Sequence, residues 1–359
     1  MNLDQLVEIS SFYYGIFCVL IMLYTIVRVQ SGGERYMTSY KPQNGLMIGM
    51  AVLLILIFTF FVGADKFGYR DAFKYACNYG LIDQGYAGWN YLTLVISKIT
   101  NNENIYFSII AFIYVSVNLW FCKKQTNNYF VLFIAVITFM GYYAYGVNTI
   151  KGGIGLSMCL VAYYYCDKDR KIALLFAVLA FFIHKSTLLP LAAFIVARYL
   201  KISLKYYYAI WIMCLMLSYS LGDYFNLYFG DYLSDREDIF ARYLLEDTDR
   251  YKVGFRIDFV IYSLITIIWG YYVSYINKHR YNNVLWNTYF KAYLLANAFW
   301  LLIISMPFTD RVAYLSWFLM PYTLFIPLLD KEFQCRERNL YATLFFVIIS
   351  GFNIYLLMR

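Results

Sequence analysis

The stretch AFFIHKSTLLPL, Ala180 to Leu191, sets one of the chain's two histidines beside a lysine in the middle of a long apolar run. The run from Ile172 to Ala197 is longer than the roughly 20 residues one helix needs to cross a hydrocarbon core, and slightly short for two crossings with a loop. The spacing predicts a helix that rises, breaks near His184 and Lys185, and falls back. Such a break holds an imidazole and a cation inside the rim of a bilayer, where ionisable groups are costly and mark function. The alternative reading is a tight hairpin whose tip merely reaches water.

The rest of the chain reads in the same terms. Of its 359 residues, 62% are hydrophobic and 14% charged, and apolar runs near twenty residues recur from end to end. This predicts an all-α, polytopic integral membrane protein of about twelve transmembrane helices, a single transmembrane domain over 1–359. The spans fall near 10–29, 45–62, 105–122, 129–147, 153–166, the broken pair 172–183 and 186–200, then 205–222, 257–276, 284–304, 312–329 and 340–357. A β-barrel needs short alternating segments, which the sequence lacks. The first apolar run is long and has no small-residue cleavage site, so no cleavable signal peptide is expected. The net charge of +8 gathers in clusters that flank the spans, so nucleic acid is not an expected partner. Seven scattered cysteines, with no CxxC and no His/Cys spacing, predict neither an exported disulfide nor a metal site.

Basic residues set the orientation. Sixteen Lys and Arg, from Arg28 to Arg338, collect in the connectors of one side; the short connectors and terminus of the other hold only Lys151, Lys185, Arg311 and Arg359. The first side is then cytoplasmic and both termini face outward. Both long loops, 63–104 and 223–256, fall on the outer side with the His184 break. In the first, Trp89, Leu92, Val95, Ile96 and Ile99 recur at helical spacing around Asn90, Thr93 and Ser97, which predicts a short helix on the membrane surface. In the second, Ser234 to Glu237 matches a capping box, opening a short amphipathic helix with Ile239, Phe240, Tyr243 and Leu244 on one face.

The outer side also collects cations: Arg70, Lys151, Lys185, Arg236, Arg242, Arg250, Lys252, Arg256 and Arg311. Arg grips phosphate oxygens with a planar fork and Lys as a point charge. Arg242 lies between Asp238 and Glu246 at helical spacing, and Arg250 beside Asp249, patterns that solvated ion pairs also explain. Arg70 and Arg311, next to Asp71 and Asp310, stand close to span ends among aromatics. Lys151 follows Asn148 at the head of a span. His184 is the outer histidine, since His279 sits in a basic connector, and it can take a proton near neutral pH. Asp71 is a second candidate base. No cofactor is expected, and GxSxG, HExxH and P-loop motifs are absent.

These pieces resemble, in order across most of the chain, the EpsG family of Wzy-like polysaccharide polymerases. Asp71-Ala-Phe-Lys-Tyr75 is similar to the family's D-x-x-x-Y. Gln84-Gly85-Tyr86 stands where the family has an acidic residue, Pro or Gly, and an aromatic. Asn148-Thr-Ile-Lys151 is similar to N-x-x-R-Q, with Lys for Arg and Gly152 for Gln. His184-Lys-Ser186 matches H-x-S, and Arg311-Val-Ala-Tyr314 resembles a late R-x-x-Y. The resemblance implies a GT-C-like glycosyltransferase that joins undecaprenyl-pyrophosphate-linked oligosaccharides without a metal, in the bacterial plasma (inner) membrane, with its site facing the periplasm or exterior. It implies His184 or Asp71 as base. Arg70, Lys151, Arg311, and Arg242, Arg250 or Arg256 would hold the pyrophosphate, and Tyr75 and Tyr314 would stack on sugars; Asn148, Ser186 and Asp310 complete the candidate set. Membrane lipids are expected partners, with a chain-length regulator as a further candidate. Three other readings stay open: a ligase or other lipid-linked sugar transferase, a transporter or flippase of lipid-linked oligosaccharides, and a membrane O-acyltransferase.

Overall fold

Helices form where the apolar runs lie, and polar side chains fix their ends. Asn102 caps α5 (Glu103–Gln125) by accepting from the N–H groups of Asn104 and Ile105, while Glu103 in the first turn and Lys123 and Lys124 in the last match the helix dipole. Asp169 caps α9 (Arg170–Ile183) in the same way. The computed structural model describes residues 3–82, 85–234, 254–277, 281–306 and 309–358, the side chains of 221–234 aside. Among the described residues there is no strand. Five stretches of them are long and apolar enough to cross a membrane: Leu3–Ser39, Glu103–Gln125, Ile257–Ile276, Thr309–Leu329 and Arg338–Met358. The chain is therefore an all-helical, membrane-embedded protein. The remaining expected spans fall on helices, or in one case on two short helices, below that length or apolarity.

The helices fall into two compact units, residues 1–188 with 324–359, and residues 189–323. In the first unit, α1 (Leu3–Ser39) packs on the closing segments α16 (Arg338–Phe345) and α17 (Gly351–Met358), which a π-helical turn joins. α2 (Asn44–Phe60) packs on α5, α5 on α8 (Ile150–Tyr165), and α8 on α9. Between α2 and α5 lie α3 (Lys66–Tyr79) and α4 (Ala87–Ser97), which pack on each other. The expected span 129–147 is not one helix. It breaks into α6 (Tyr129–Ile137) and α7 (Tyr142–Val147) at Gly141, whose φ of 102° suits glycine. At 1.5 Å per residue, α6 is roughly 14 Å long, under half a hydrocarbon core.

α4 forms where its periodicity predicts, with an instructive orientation. Its buried side carries Trp89, Asn90, Thr93, Ile96 and Ser97, while Val95 and Ile99 are exposed. The polar residues are satisfied inward: Asn90 donates to the Ile82 carbonyl at 2.8 Å, and Thr93 lies 3.2 Å from the Tyr106 hydroxyl.

In the second unit, α10 (Leu188–Tyr199) and α11 (Leu204–Ser234) lead to α12 (Ile257–Tyr271) and α13 (Val284–Leu302). α14 (Thr309–Trp317) packs on α13, and α15 (Met320–Leu329) returns to the first unit's sequence. The capping-box segment at Ser234 to Glu237 runs past Ser234 into residues outside the described ones.

Candidate functional site

The site in the first unit is assembled by close backbone approaches. At Gly88 on α4, a Cβ would sit 2.7 Å from the carbonyl carbon of Phe182 at the end of α9. No real side chain tolerates that separation, so glycine alone lets α4 press on α9. On α8, a Cβ at Gly155 would lie 2.8 Å from Thr187 Cγ2 and 3.3 Å from His184 Cβ. Gly63 makes the third notch, where a Cβ would meet the Val147 carbonyl oxygen at 2.5 Å.

α9 ends at Ile183, and His184 takes an extended conformation with φ −153°. One turn of 3₁₀ helix, Lys185–Thr187, follows before α10. The break therefore falls where the sequence places it. The His184 carbonyl accepts from the Thr187 N–H at 3.0 Å and its hydroxyl at 2.8 Å, and His184 Nδ1 lies 2.5 Å from Ser186 Oγ. Ser186 thus orients the ring, the part that a histidine's second nitrogen commonly plays.

Three further side chains converge there. The Tyr86 ring stacks on the His184 imidazole, centroids 4.8 Å apart and planes 14° from parallel. Lys151 Nζ, near the start of α8, lies 5.1 Å from the Tyr86 ring centroid and 5.4 Å from that of Tyr69 on α3. Each ring face attracts the ammonium. Burial pushes the Lys151 pKa down, and the Asp65 charge opposes that shift. Asn148 accepts from the Asp65 N–H at 2.7 Å, tying the start of α3 to the α7–α8 turn.

α3 itself is anchored by Lys66. Its buried ammonium donates to the carbonyls of Phe58, Thr59 and Phe61 at 2.8, 2.7 and 2.7 Å, filling the acceptor end of α2. Burial pushes its pKa down to about 7, the Arg70 charge adds to this, and Glu103 works against it. The buried side of α3 runs through Lys66, Phe73 and Ala76. Asp71 and Tyr75 therefore fall on the exposed side, Tyr75 against Tyr79 at 5.1 Å. Arg70 lies on the flank, its Nε 2.9 Å from Glu103 Oε2, with Lys74 at 3.6 Å from the same oxygen. The structure thus brings together Asn148, Lys151, His184 and Ser186, and gives Arg70 a carboxylate partner.

The second unit carries its own charged group. Arg256 grips Asp258 through Nε–Oδ1 at 3.0 Å and Nη2–Oδ2 at 2.6 Å, and stacks 3.7 Å over the Phe259 ring. The charges of Arg311 and Arg256 both act on Asp310 at the start of α14. Tyr314 lies one turn on, 5.7 Å from Trp317. A buried network clamps this helix: Trp300 donates to Thr309 Oγ1 at 2.9 Å, Trp317 to Ser263 at 2.8 Å, and Asn297 to Ser263 and Ser316 at 3.1 and 3.0 Å. Arg242 and Arg250, with Gln84, lie outside the described residues. Among the described residues no three His, Cys, Asp or Glu side chains converge as metal ligands would.

The EpsG family profile matches residues 45–359. The chain belongs to the EpsG family. No curated protein and no solved structure matches it. Within this EpsG-family chain, Tyr86, Tyr69, Asp65 and Lys66 are the residues that motif reading passes over as site members. Tyr86 sits inside a quoted motif, but its partner is 98 positions away. Lys66 had a readable signal: it heads the helical series Lys66, Phe73, Ala76, a cation on an otherwise apolar face.

Proposed function

We propose that this EpsG-family protein is a polysaccharide polymerase, a membrane glycosyltransferase that joins oligosaccharide repeat units carried on undecaprenyl pyrophosphate at the outer face of the bacterial plasma membrane. Family membership supports the reaction class. The observation that carries the reading at the level of residues is the convergence of Lys151, Tyr86 and His184 at the helix break. In this reading the shorter apolar helices complete a GT-C-like bundle, and the side whose connectors carry the sixteen Lys and Arg faces the cytoplasm.

The chemistry is a displacement at the anomeric carbon of the growing glycan. A hydroxyl oxygen of the incoming lipid-linked unit forms the new C–O bond. The bond to pyrophosphate breaks, and the lipid pyrophosphate departs with the electron pair. His184 takes the hydroxyl proton on Nε2 while Ser186 Oγ accepts from Nδ1–H, the tautomer that leaves Nε2 basic. We assign the base to His184 rather than Asp71 because Asp71 lies on the exposed side of α3. Lys151 neutralises the departing pyrophosphate, and a buried cation acts there with less screening than in water. Tyr69 and Tyr86 offer faces on which sugar rings stack. Arg311, Arg256 and Arg70, with Arg242 and Arg250, are assigned to further phosphate and sugar contacts, alongside Asp310, Tyr75 and Tyr314.

His184→Ala and Arg311→Ala test the assignment in cells. At wild-type expression, each is expected to lower polymer yield about a hundredfold, the usual scale for a lost acid–base group or charged phosphate contact. Unchanged polymer length and yield in both variants would sink the reading.

A further inference from the structure

At the opposite end of α2 and α5 from the His184 group lies a cavity of about 460 Å³, lined by Lys41, Gln43, Asn44, Lys123, Thr126 and Tyr129 among others. The size falls in the range of small-ligand sites. Its lining holds two cations and no carboxylate, and among the described residues no carboxylate pairs with either lysine. α2 starts here with Gln43 at its N-cap, whose side chain makes no capping hydrogen bond, so the positive end of the helix opens into the cavity. The rim is fixed on three sides. Buried Asn128 donates to the Tyr36 carbonyl of α1 at 2.7 Å and accepts from the Val131 N–H at the start of α6. Thr126 donates to the Leu329 carbonyl at 3.4 Å. Lys123 lies 5.8 Å from the Tyr129 ring centroid, which holds its stem along the wall. α5 spans roughly 34 Å between this cavity and the Arg70–Glu103 pair, so the two sites are separate.

We propose that this cavity is a binding site for a phosphate-bearing anion of headgroup size. Two lysines and an open helix terminus recognise phosphate without shape-specific forks, and the amide and hydroxyl groups of Gln43, Asn44 and Thr126 supply neutral contacts. The occupant is either the headgroup of an anionic phospholipid or a soluble phosphate ester; both present the same chemistry. The site does not depend on the polymerase reading, and either can fail alone.

The test uses the full-length protein in phosphatidylcholine nanodiscs containing a minor fraction of phosphatidylglycerol. Native mass spectrometry counts retained phosphatidylglycerol, and thermal unfolding is followed with and without glycerol 3-phosphate and inorganic pyrophosphate. Lys41→Gln/Lys123→Gln is expected to retain phosphatidylglycerol roughly thirtyfold more weakly than wild type. Asn127 also lines the cavity; Asn127→Trp, which adds bulk there and keeps both lysines, is expected to do the same, so the result stands even if the lysine variant folds poorly. Arg170→Gln/Lys171→Gln removes two exposed cations from the same end of the unit and is expected to retain the lipid as wild type does. If lipid retention is unaffected but the soluble anions stabilise wild type and not the two cavity variants, the occupant is the soluble ester. Equal behaviour of wild type and cavity variants in both arms, or an equal loss in the Arg170/Lys171 control, overturns the proposal.

Discussion

The ring of Tyr86 lies flat on the imidazole of His184, centroids 4.8 Å apart and planes 14° from parallel. The two residues are brought from α4 and α9 by a backbone contact that Gly88 alone permits. Stacked rings of this kind contribute about 0.5–1.5 kcal/mol beyond area burial. Tyr86→Phe keeps the stack and is expected to retain most polymer formation, whereas Tyr86→Ala is expected to lose about tenfold. Polymer yield at matched protein levels reads the difference; equal loss in both variants would mean that the ring does not position His184.

Gly88→Ala tests the notch itself. The added methyl meets backbone rather than a movable side chain, so it is expected to cost about 1–3 kcal/mol and to lower activity with stability. A methyl added at Gly68 on α3 would meet nothing within 4 Å, so Gly68→Ala is expected to be neutral or to stabilise by up to about 1 kcal/mol through helix propensity. Thermal unfolding in detergent compares the pair, and a harmless Gly88→Ala would remove the packing argument.

The Lys151 charge carries a pH signature. Burial lowers its pKa, and in the proposed reaction the protonated form is the one that neutralises pyrophosphate. Activity is therefore present below that value and falls as pH rises, beginning at lower pH than an ordinary lysine would give. Lys151→Arg keeps its charge past about pH 12 and restores the residue of the N-x-x-R-Q pattern. Its alkaline limb is expected to move up in pH. Superimposable pH profiles for the two proteins would exclude Lys151 as the titrating cation.

Lys66 is expected to matter for stability first. Lys66→Met strands three carbonyls at the end of α2 and is expected to cost about 2–4 kcal/mol, the penalty for buried acceptors that lose a charged donor. By contrast, Glu103→Ala breaks a half-exposed ion pair with Arg70 and is expected to cost no more than about 1 kcal/mol. Unfolding midpoints of the two variants measure this ordering, and a reversed order would refute the capping role.

Much of this fold was legible in the sequence because apolar length and polar caps are local properties. The helix break at His184 was readable, since a histidine and a lysine interrupt a run too long for one crossing. So was α4, from the spacing of Trp89, Leu92 and Ile96. The break of 129–147 at Gly141 was not, because an apolar run gives no sign of a positive φ inside it. Nor was the turning of α3: the D-x-x-x-Y pattern draws attention to Asp71 and Tyr75, but burial of Lys66, Phe73 and Ala76 places them on the exposed side. The Tyr86–His184 contact depends on two distant segments meeting at a glycine, which no local pattern encodes.

The central claim is that this EpsG-family protein joins lipid-linked repeat units. The most direct measurement is to incubate purified full-length protein with a synthetic undecaprenyl-pyrophosphate repeat unit, in the presence of a metal chelator, and to resolve the products by size. A ladder of glycans spaced by one repeat unit, lost in His184→Ala, is the predicted result. An unchanged substrate, or a single transfer to a different acceptor with no ladder, would contradict it.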